Sequence, residues 1–217
     1  MPPMSAARTA SPRLRELARR PAPEPVNAPG ERCDLCAEPL ADDHRHLLDA
    51  SGGHTVLCAC RACSLLFDRS EAGGRHYKLL PRRRLRLDGF TVDDALWASL
   101  GIPVGLAFFV RDDASGRTTV GYPSPLGTTR SELDAAVWHD LARGHPALAE
   151  LAADVEALLV HRVPGAPPQH WIVPLDDCYR LVAVVRAHWK GLAGGPEVWT
   201  RIQRFFTGLA RPEPAHR

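Results

Sequence analysis

Five of the chain's six cysteines fall between positions 33 and 63, and four of them form two C-x-x-C pairs, Cys33-Asp-Leu-Cys36 and Cys60-Arg-Ala-Cys63. That spacing suits metal chemistry. A C-x-x-C segment can make a tight turn that aims two thiolates at one point while backbone N–H groups bond the sulfurs. Two such turns brought together place four sulfurs at the corners of a tetrahedron, the closed arrangement of structural zinc. The expectation is one Zn2+ held by Cys33, Cys36, Cys60 and Cys63. A closed site has no open position for water, which argues against zinc catalysis there. Metal binding of this kind is worth about 10–16 kcal/mol near neutral pH, which dominates so small a unit. Residues 31–67 are therefore expected to lose their fold without the metal while the body survives.

Neighbouring residues leave some of the ligand set open. Cys58 lies two positions before Cys60 and could replace it, but that would break the C-x-x-C turn, so Cys60 is preferred. His44 and His46 stand at i and i+2, which on a strand puts both on one side. Because four thiolates already complete the site, solvated or structural histidines are the expectation for both. Four cysteine sulfurs also suit iron, as a single rubredoxin-like ion or an Fe–S cluster. A rubredoxin-like knuckle usually carries Gly after its second Cys; Ala37 and Ser64 stand there instead, which favours zinc. Disulfides are not expected from such close spacing without an export signal, and the reducing cytosol is the expected location.

Elsewhere the sequence offers little for catalysis. It has no nucleophile elbow, phosphate loop or H-E-x-x-H helix. The pair Asp112-Asp113 reads as a turn and Asp176-Asp177 as a helix cap. Cys178 falls in the first turn of an expected helix, where a thiolate is favoured, yet no histidine can be placed beside it and a buried structural role is preferred. The basic run Arg82-Arg-Arg-Leu-Arg86 could touch nucleic acid next to a zinc ribbon. It lacks interleaved aromatics, and the net charge of the 217-residue chain is only +2, so a solvated strand face is the expectation. Hydrophobic residues make up 45% and charged residues 24%, enough apolar surface for a real core. The longest apolar stretches, Val104–Val110 and Leu181–Val185, are too short to span a bilayer.

The elements that must position these groups follow from periodicity and punctuation. Residues 1–30 read as a flexible arm with one helical turn at Leu14–Leu17, residues 31–75 as the four-cysteine module, 76–211 as the body and 212–217 as a loose tail. Tyr77–Leu80 and Leu85–Leu87 look like short strands leading away from the module. Thr91 and Asp94 suggest a capping box before a short helix. Gly105–Val110 and Thr118–Tyr122 read as a strand pair joined by a turn, the second ended by Pro123 and Pro125. A helix is expected from Thr128–Ser131, where Thr129 and Glu132 can make a capping box, with Leu133, Val137 and Leu141 on one face, and a second helical stretch or a lead into a strand over Leu148–Glu156. Ala157–Val163 and His170–Leu175 read as a second strand pair, with Pro174 marking either an edge strand or the end of the strand. Two helices close the chain, the last opening at Pro196. The fold class is α+β: a small zinc-ribbon-like module, then a body with a small antiparallel sheet packed by helices.

These residues carry a resemblance. Cys-Asp-Leu-Cys-Ala-Glu-Pro-Leu, then His-Arg-His-Leu-Leu-Asp, then Leu-Cys-Ala-Cys-Arg-Ala-Cys-Ser-Leu-Leu-Phe resemble an uncharacterised family of high-GC Gram-positive bacteria. Ile102-Pro-Val-Gly-Leu-Ala-Phe-Phe109, Tyr122-Pro-Ser-Pro125 and the segment from Val173 to Val182 match it as well, so the likeness covers roughly residues 31–209. The resemblance implies that this span is one inherited unit, and that its genes often lie beside those for uptake nickel–iron hydrogenases and their assembly factors. It brings no catalytic residues. The resulting expectation is a zinc-binding accessory or assembly protein of a hydrogenase system, acting through contacts with a hydrogenase subunit or assembly factor. An iron-containing electron carrier is the first alternative and a zinc-ribbon nucleic-acid binder the second.

Overall fold

The computed structural model describes residues 30–51, 54–68, 76–163, 167–191 and 193–210. The helical turn expected at Leu14–Leu17, the arm up to residue 29 and the tail 212–217 lie outside the described residues. Arg32–Arg217 forms one compact unit, built on two antiparallel sheets.

The first sheet has three strands in the order β2-β1-β3: β1 Arg45–Asp49, β2 Thr55–Ala59 and β3 Tyr77–Leu79. Helix α1, Arg61–Phe67, follows β2 directly. Alternation along β1 divides its contacts. Leu47 packs with Ala59, Cys33 and Cys63 in a small cluster. Leu48, one residue on, points the other way into the large core of the body, where Val56 opposite it also packs. The hairpin therefore buries both of its faces, one under the cysteines and one against the body. Strand β3, expected to lead away from the module, returns to pair with β1, Leu47 opposite Leu79.

The second sheet has six strands, β4 Leu85–Arg86, β5 Leu106–Arg111, β6 Thr118–Ser124, β7 Gly127–Leu133, β8 Glu156–His161 and β9 Gln169–Pro174, in the order β4-β9-β8-β5-β6-β7. Its central strands read as continuous apolar runs because both faces are covered. Phe108, Leu159, Trp171 and Val173 face helices α5, Leu175–His188, and α6, Gly195–Leu209, through Leu181, Val185, Ile202 and Phe206. Phe109, Leu158, Val160 and Ile172 face the opposite layer. That layer includes Trp138 and Leu141 of α3, Ala135–Arg143, and Leu148 of the short α4, Pro146–Ala149. Gly121 sits opposite Phe108 in the ladder: a Cβ there would lie 2.7 Å from the Phe108 ring, so a larger residue would have to displace that ring.

Several local expectations are corrected. Residues 127–133 form a strand, not the start of a helix. The tight hairpin with β6 runs in unbroken register from Thr118 opposite Leu133 to Ser124 opposite Gly127, and this ladder outweighs the apparent capping box. The helix begins at Ala135, capped by Asp134, whose carboxylate accepts from Ala136 N at 2.7 Å. The short helix α2, Asp94–Ser99, is capped by Asp93 rather than Thr91. Pro123 lies within β6, beyond the last residue paired with β5, so its missing N–H breaks no ladder bond to that strand. Of the two readings of 148–156, the lead into a strand holds, since α4 ends at Ala149 and β8 starts at Glu156. Of the two readings of Pro174, the strand's end holds: β9 stops there and is not an edge, because β4 pairs along its far side at Ile172 and Trp171.

Candidate metal centre

The four cysteines of the two pairs converge, with their sulfur atoms all within 4.8 Å of one another. The first pair does so through a knuckle. Ala37 N bonds Cys33 O at 2.8 Å and Cys33 N bonds Glu38 O at 2.9 Å. Ala37 adopts φ 62°, the left-handed backbone for which glycine is usually chosen, so the turn forms without the glycine. The second pair is delivered differently. Cys60 is the N-cap of α1, its sulfur accepting from Cys63 N at 3.4 Å, and Cys63 sits one turn later in the helix. One knuckle and one helix start thus replace the two similar turns that the repeated spacing suggested.

The spacing fits a bridging ion. Cys36 and Cys60 sulfurs stand 3.7 Å apart. Four sulfurs about 2.3 Å from one tetrahedral ion would be separated by roughly 3.8 Å, whereas a disulfide requires about 2.05 Å. None of the six cysteines is joined in a disulfide. Cys33 and Cys63 are buried, and Cys36 is at the surface. The electrostatics also call for a cation. Burial resists ionisation of Cys33, but backbone N–H groups of Cys60, Leu35 and Cys36 outweigh it and pull this thiol down to about 6. Burial pushes Cys63 up, and the neighbouring cysteines push it further. Cys36 is raised as well: a backbone N–H at Glu38 lowers it, but the crowding by Cys33 prevails. Four thiolates this close can coexist only around a positive charge. The cluster could hold a metal ion.

A residue that the spacing did not single out secures the arrangement. Asp34, inside the first pair, accepts from Cys58 N through Oδ2 at 2.6 Å, and its own N–H bonds Cys58 O at 2.9 Å. The knuckle is thereby clamped to β2. The only signal in the sequence is an acidic residue within a turn, where side-chain oxygens commonly bind nearby backbone.

Cys58 itself is not among the four. It lies opposite His46 in the β1–β2 ladder, on the face away from Leu47 and Ala59. Its sulfur groups instead with ring nitrogens of His44 and His46, all within 4.8 Å. A third group, His54, Asp112 and Asp154, shares one of its members with a lysine: Lys78 Nζ contacts Asp154 Oδ2 at 2.6 Å and the adjoining Asp113 Oδ2 at 2.8 Å. Asp112 makes the expected turn, accepting from Ser115.

The basic run is structural. Arg82 pairs with Asp43, Arg83 bidentately with the buried Glu156, Arg84 with the fully buried Asp177, and Arg86 with Asp88. Asp177 and Asp176 do not cap α5, whose N-cap is Pro174. Asp176 instead bonds His46. Cys178 is completely buried, and burial pushes its thiol up. The body has clefts of about 420 Å3 between Phe90, Leu96 and Leu141 and about 610 Å3 beside Trp138 and His139, and no cysteine lines either. No described helix is long and apolar enough to cross a membrane.

No curated protein and no solved structure matches the chain. A family model does match, over residues 32–213, from the knuckle past the last helix; its description is a family of unknown function, DUF5947, and the chain belongs to that family.

Proposed function

We propose that the protein is a zinc-binding accessory or assembly protein of a nickel–iron hydrogenase system, working in the reducing cytosol through contacts with a hydrogenase subunit or another assembly factor. The observation that carries the metal-binding part is the convergence of Cys33, Cys36, Cys60 and Cys63 within 4.8 Å. Zinc is supported by the closed set of four thiolates and by the helical second pair, which departs from a site made of two knuckles. The hydrogenase context rests on the resemblance of the cysteine segment and of Val173–Val182 to a family encoded beside such genes. Action through protein contacts is supported by Leu65 and Leu66, large apolar side chains exposed on α1 next to Cys63.

Deleting the gene in its native host tests this reading. Hydrogenase activity should fall, and the intact chain should restore it where a Cys60→Ser, Cys63→Ser chain does not. Full maturation and activity in the deletion strain would reject it.

One observation favours a second reading. Cys36 is exposed, so iron in the same site would lie at the surface, within reach of a redox partner. The protein would then carry electrons in the same system. Elemental analysis of protein purified from its host decides: a coloured, iron-loaded protein supports this reading and a colourless, zinc-loaded one removes it.

A further inference from the structure

We propose a second metal site, separate from the four sulfurs and open to an exchangeable ligand, formed by His44, His46 and Cys58. It goes beyond the reading above and does not depend on the hydrogenase context.

The three side chains meet because of strand geometry. His46 and Cys58 are directly opposed in the β1–β2 ladder, which puts their side chains on the same face. His44 precedes His46 by two residues, so the chain leading into β1 presents it on that side as well. The ligand atoms of all three lie within 4.8 Å of one another. The two imidazole rings meet edge to face, with centroids 4.8 Å apart at 78°, an arrangement that lets two ring nitrogens approach one point without stacking. This face is the one turned toward the body, opposite the Leu47 and Ala59 side beneath Cys33 and Cys63. Two ions could therefore be held on the two sides of one hairpin.

The outer contacts are those of metal-binding histidines. His46 Nδ1 stands 2.7 Å from Asp176 Oδ2, and His44 Nδ1 stands 3.0 Å from the carbonyl oxygen of Ala41. Both partners only accept hydrogen bonds, so each ring in its neutral form donates from Nδ1 and keeps its lone pair on Nε2. A carboxylate or carbonyl holding one nitrogen while the other faces a metal is the usual support of a histidine ligand, and it raises the basicity of the coordinating nitrogen. Cys58 is fixed by its backbone through Asp34, so the third ligand is also held. All three residues are half-buried, which limits competition from water without sealing the site.

Two imidazoles and one thiolate form a borderline-soft donor set, suited to Zn2+, Co2+ or copper and poorly suited to Mg2+ or Ca2+. Three protein ligands leave a fourth tetrahedral position for water or a small exchangeable ligand. The four-sulfur site would be the structural ion, and the His2Cys site the one that can exchange its ligand or its metal.

The test is Co2+ binding to the full-length protein carrying one zinc per chain, read by elemental analysis and by thiolate-to-cobalt absorption. The intact chain should take up one further ion per chain, with a spectrum reporting a single thiolate ligand. His44→Gln and Cys58→Ser should each abolish the second uptake and leave the zinc already present in place. Asp176→Asn, which keeps the side chain's size, should weaken the second ion about 10- to 100-fold with circular dichroism unchanged. A Cys36→Ser chain should lose the first ion selectively, so failure of the four-sulfur reading would be seen separately. The proposal is overturned if the intact chain accepts no further ion, or if uptake persists in both His44→Gln and Cys58→Ser. An Asp176→Asn chain that binds the second ion as tightly as the intact one also overturns it.

Discussion

Asp34 and Cys58 grip each other twice: the carboxylate accepts from Cys58 N at 2.6 Å, and Asp34 N donates to Cys58 O at 2.9 Å. The pair lies 24 residues apart in sequence and ties the knuckle of Cys33 and Cys36 to the strand that leads into Cys60. Asp34→Ala removes the charge-assisted half of this clamp, a bond worth about 1.5–3 kcal/mol. Because Asp34 orients a ligand-bearing loop without ligating, the variant should still bind zinc, with affinity lowered about 10- to 100-fold. Competition with a chromophoric chelator measures this. Unchanged affinity would mean that the knuckle is held without the clamp.

Metal removal should act locally. All five tryptophans lie in the body, at 97, 138, 171, 189 and 199. Strand β1 is anchored there independently of the cysteines, since Leu48 is wholly buried in the body's core and Lys78 of the adjoining β3 pairs with Asp154. A strong chelator should therefore abolish amide protection over residues 33–40 and 60–67, where sulfur ligation dominates. The Trp138 and Trp171 environments should keep their fluorescence, and amides of β5 and β8 their protection. Hydrogen exchange with mass spectrometry resolves the two regions, and simultaneous loss of protection in both would show that the ion supports the whole unit.

What the sequence made legible follows from distance along the chain. The two C-x-x-C pairs announce their chemistry because each pair's geometry is set within four residues. The central strands over Leu106–Arg111, Glu156–His161 and Gln169–Pro174 are readable because burial on both faces imposes unbroken apolar runs. Residues 127–133 misled, since Thr129 and Glu132 mimic a helix cap when their strand partners ten or so residues upstream are not seen. The role of Asp176 was hidden for the same reason. Nothing local indicates that its carboxylate meets His46, 130 positions away. The similarity of the two cysteine pairs also concealed a difference: one is a turn and the other opens a helix, because Arg61–Phe67 follows Cys60 with residues that propagate helix rather than turn.

Arg84 and Asp177 form a buried pair, Nε to Oδ2 at 2.6 Å, with Asp177 fully buried and Arg180 adding a contact at 2.8 Å. Burial raises the Asp177 carboxyl, opposed by Arg84, so the ion is tolerated only because it is paired. Asp177→Ala takes a fully buried carboxylate away from Arg84 and Arg180 and should cost up to about 3–5 kcal/mol. Replacing both partners with apolar residues, Arg84→Met with Asp177→Leu, should recover most of that loss. Chemical denaturation of the single and double variants checks both statements. A double variant no more stable than Asp177→Ala would mean that the arginine run also organises the chain between the two sheets.

Acid should weaken the fold through His170. Its ring is buried on β9, edge-on to Phe90 at 5.2 Å, and burial followed by the charge of Arg162 pulls it down to about 4. In the unfolded chain the same group titrates near 6.5. The unfolded state therefore takes up a proton that the folded state refuses between these values. The neutral ring's contribution is complete above about pH 6.5 and is lost as pH falls toward 4, a change of about 3 kcal/mol. His161, also buried and lowered, acts in the same direction. His170→Leu removes one titrating group from this window, so the stability difference between the parent and the variant should shift against the parent as pH falls from 7 to 4. Denaturant midpoints measured across that range read the slope directly. Parallel curves for the two proteins would show that His170 is protonated as easily in the fold as in the unfolded chain.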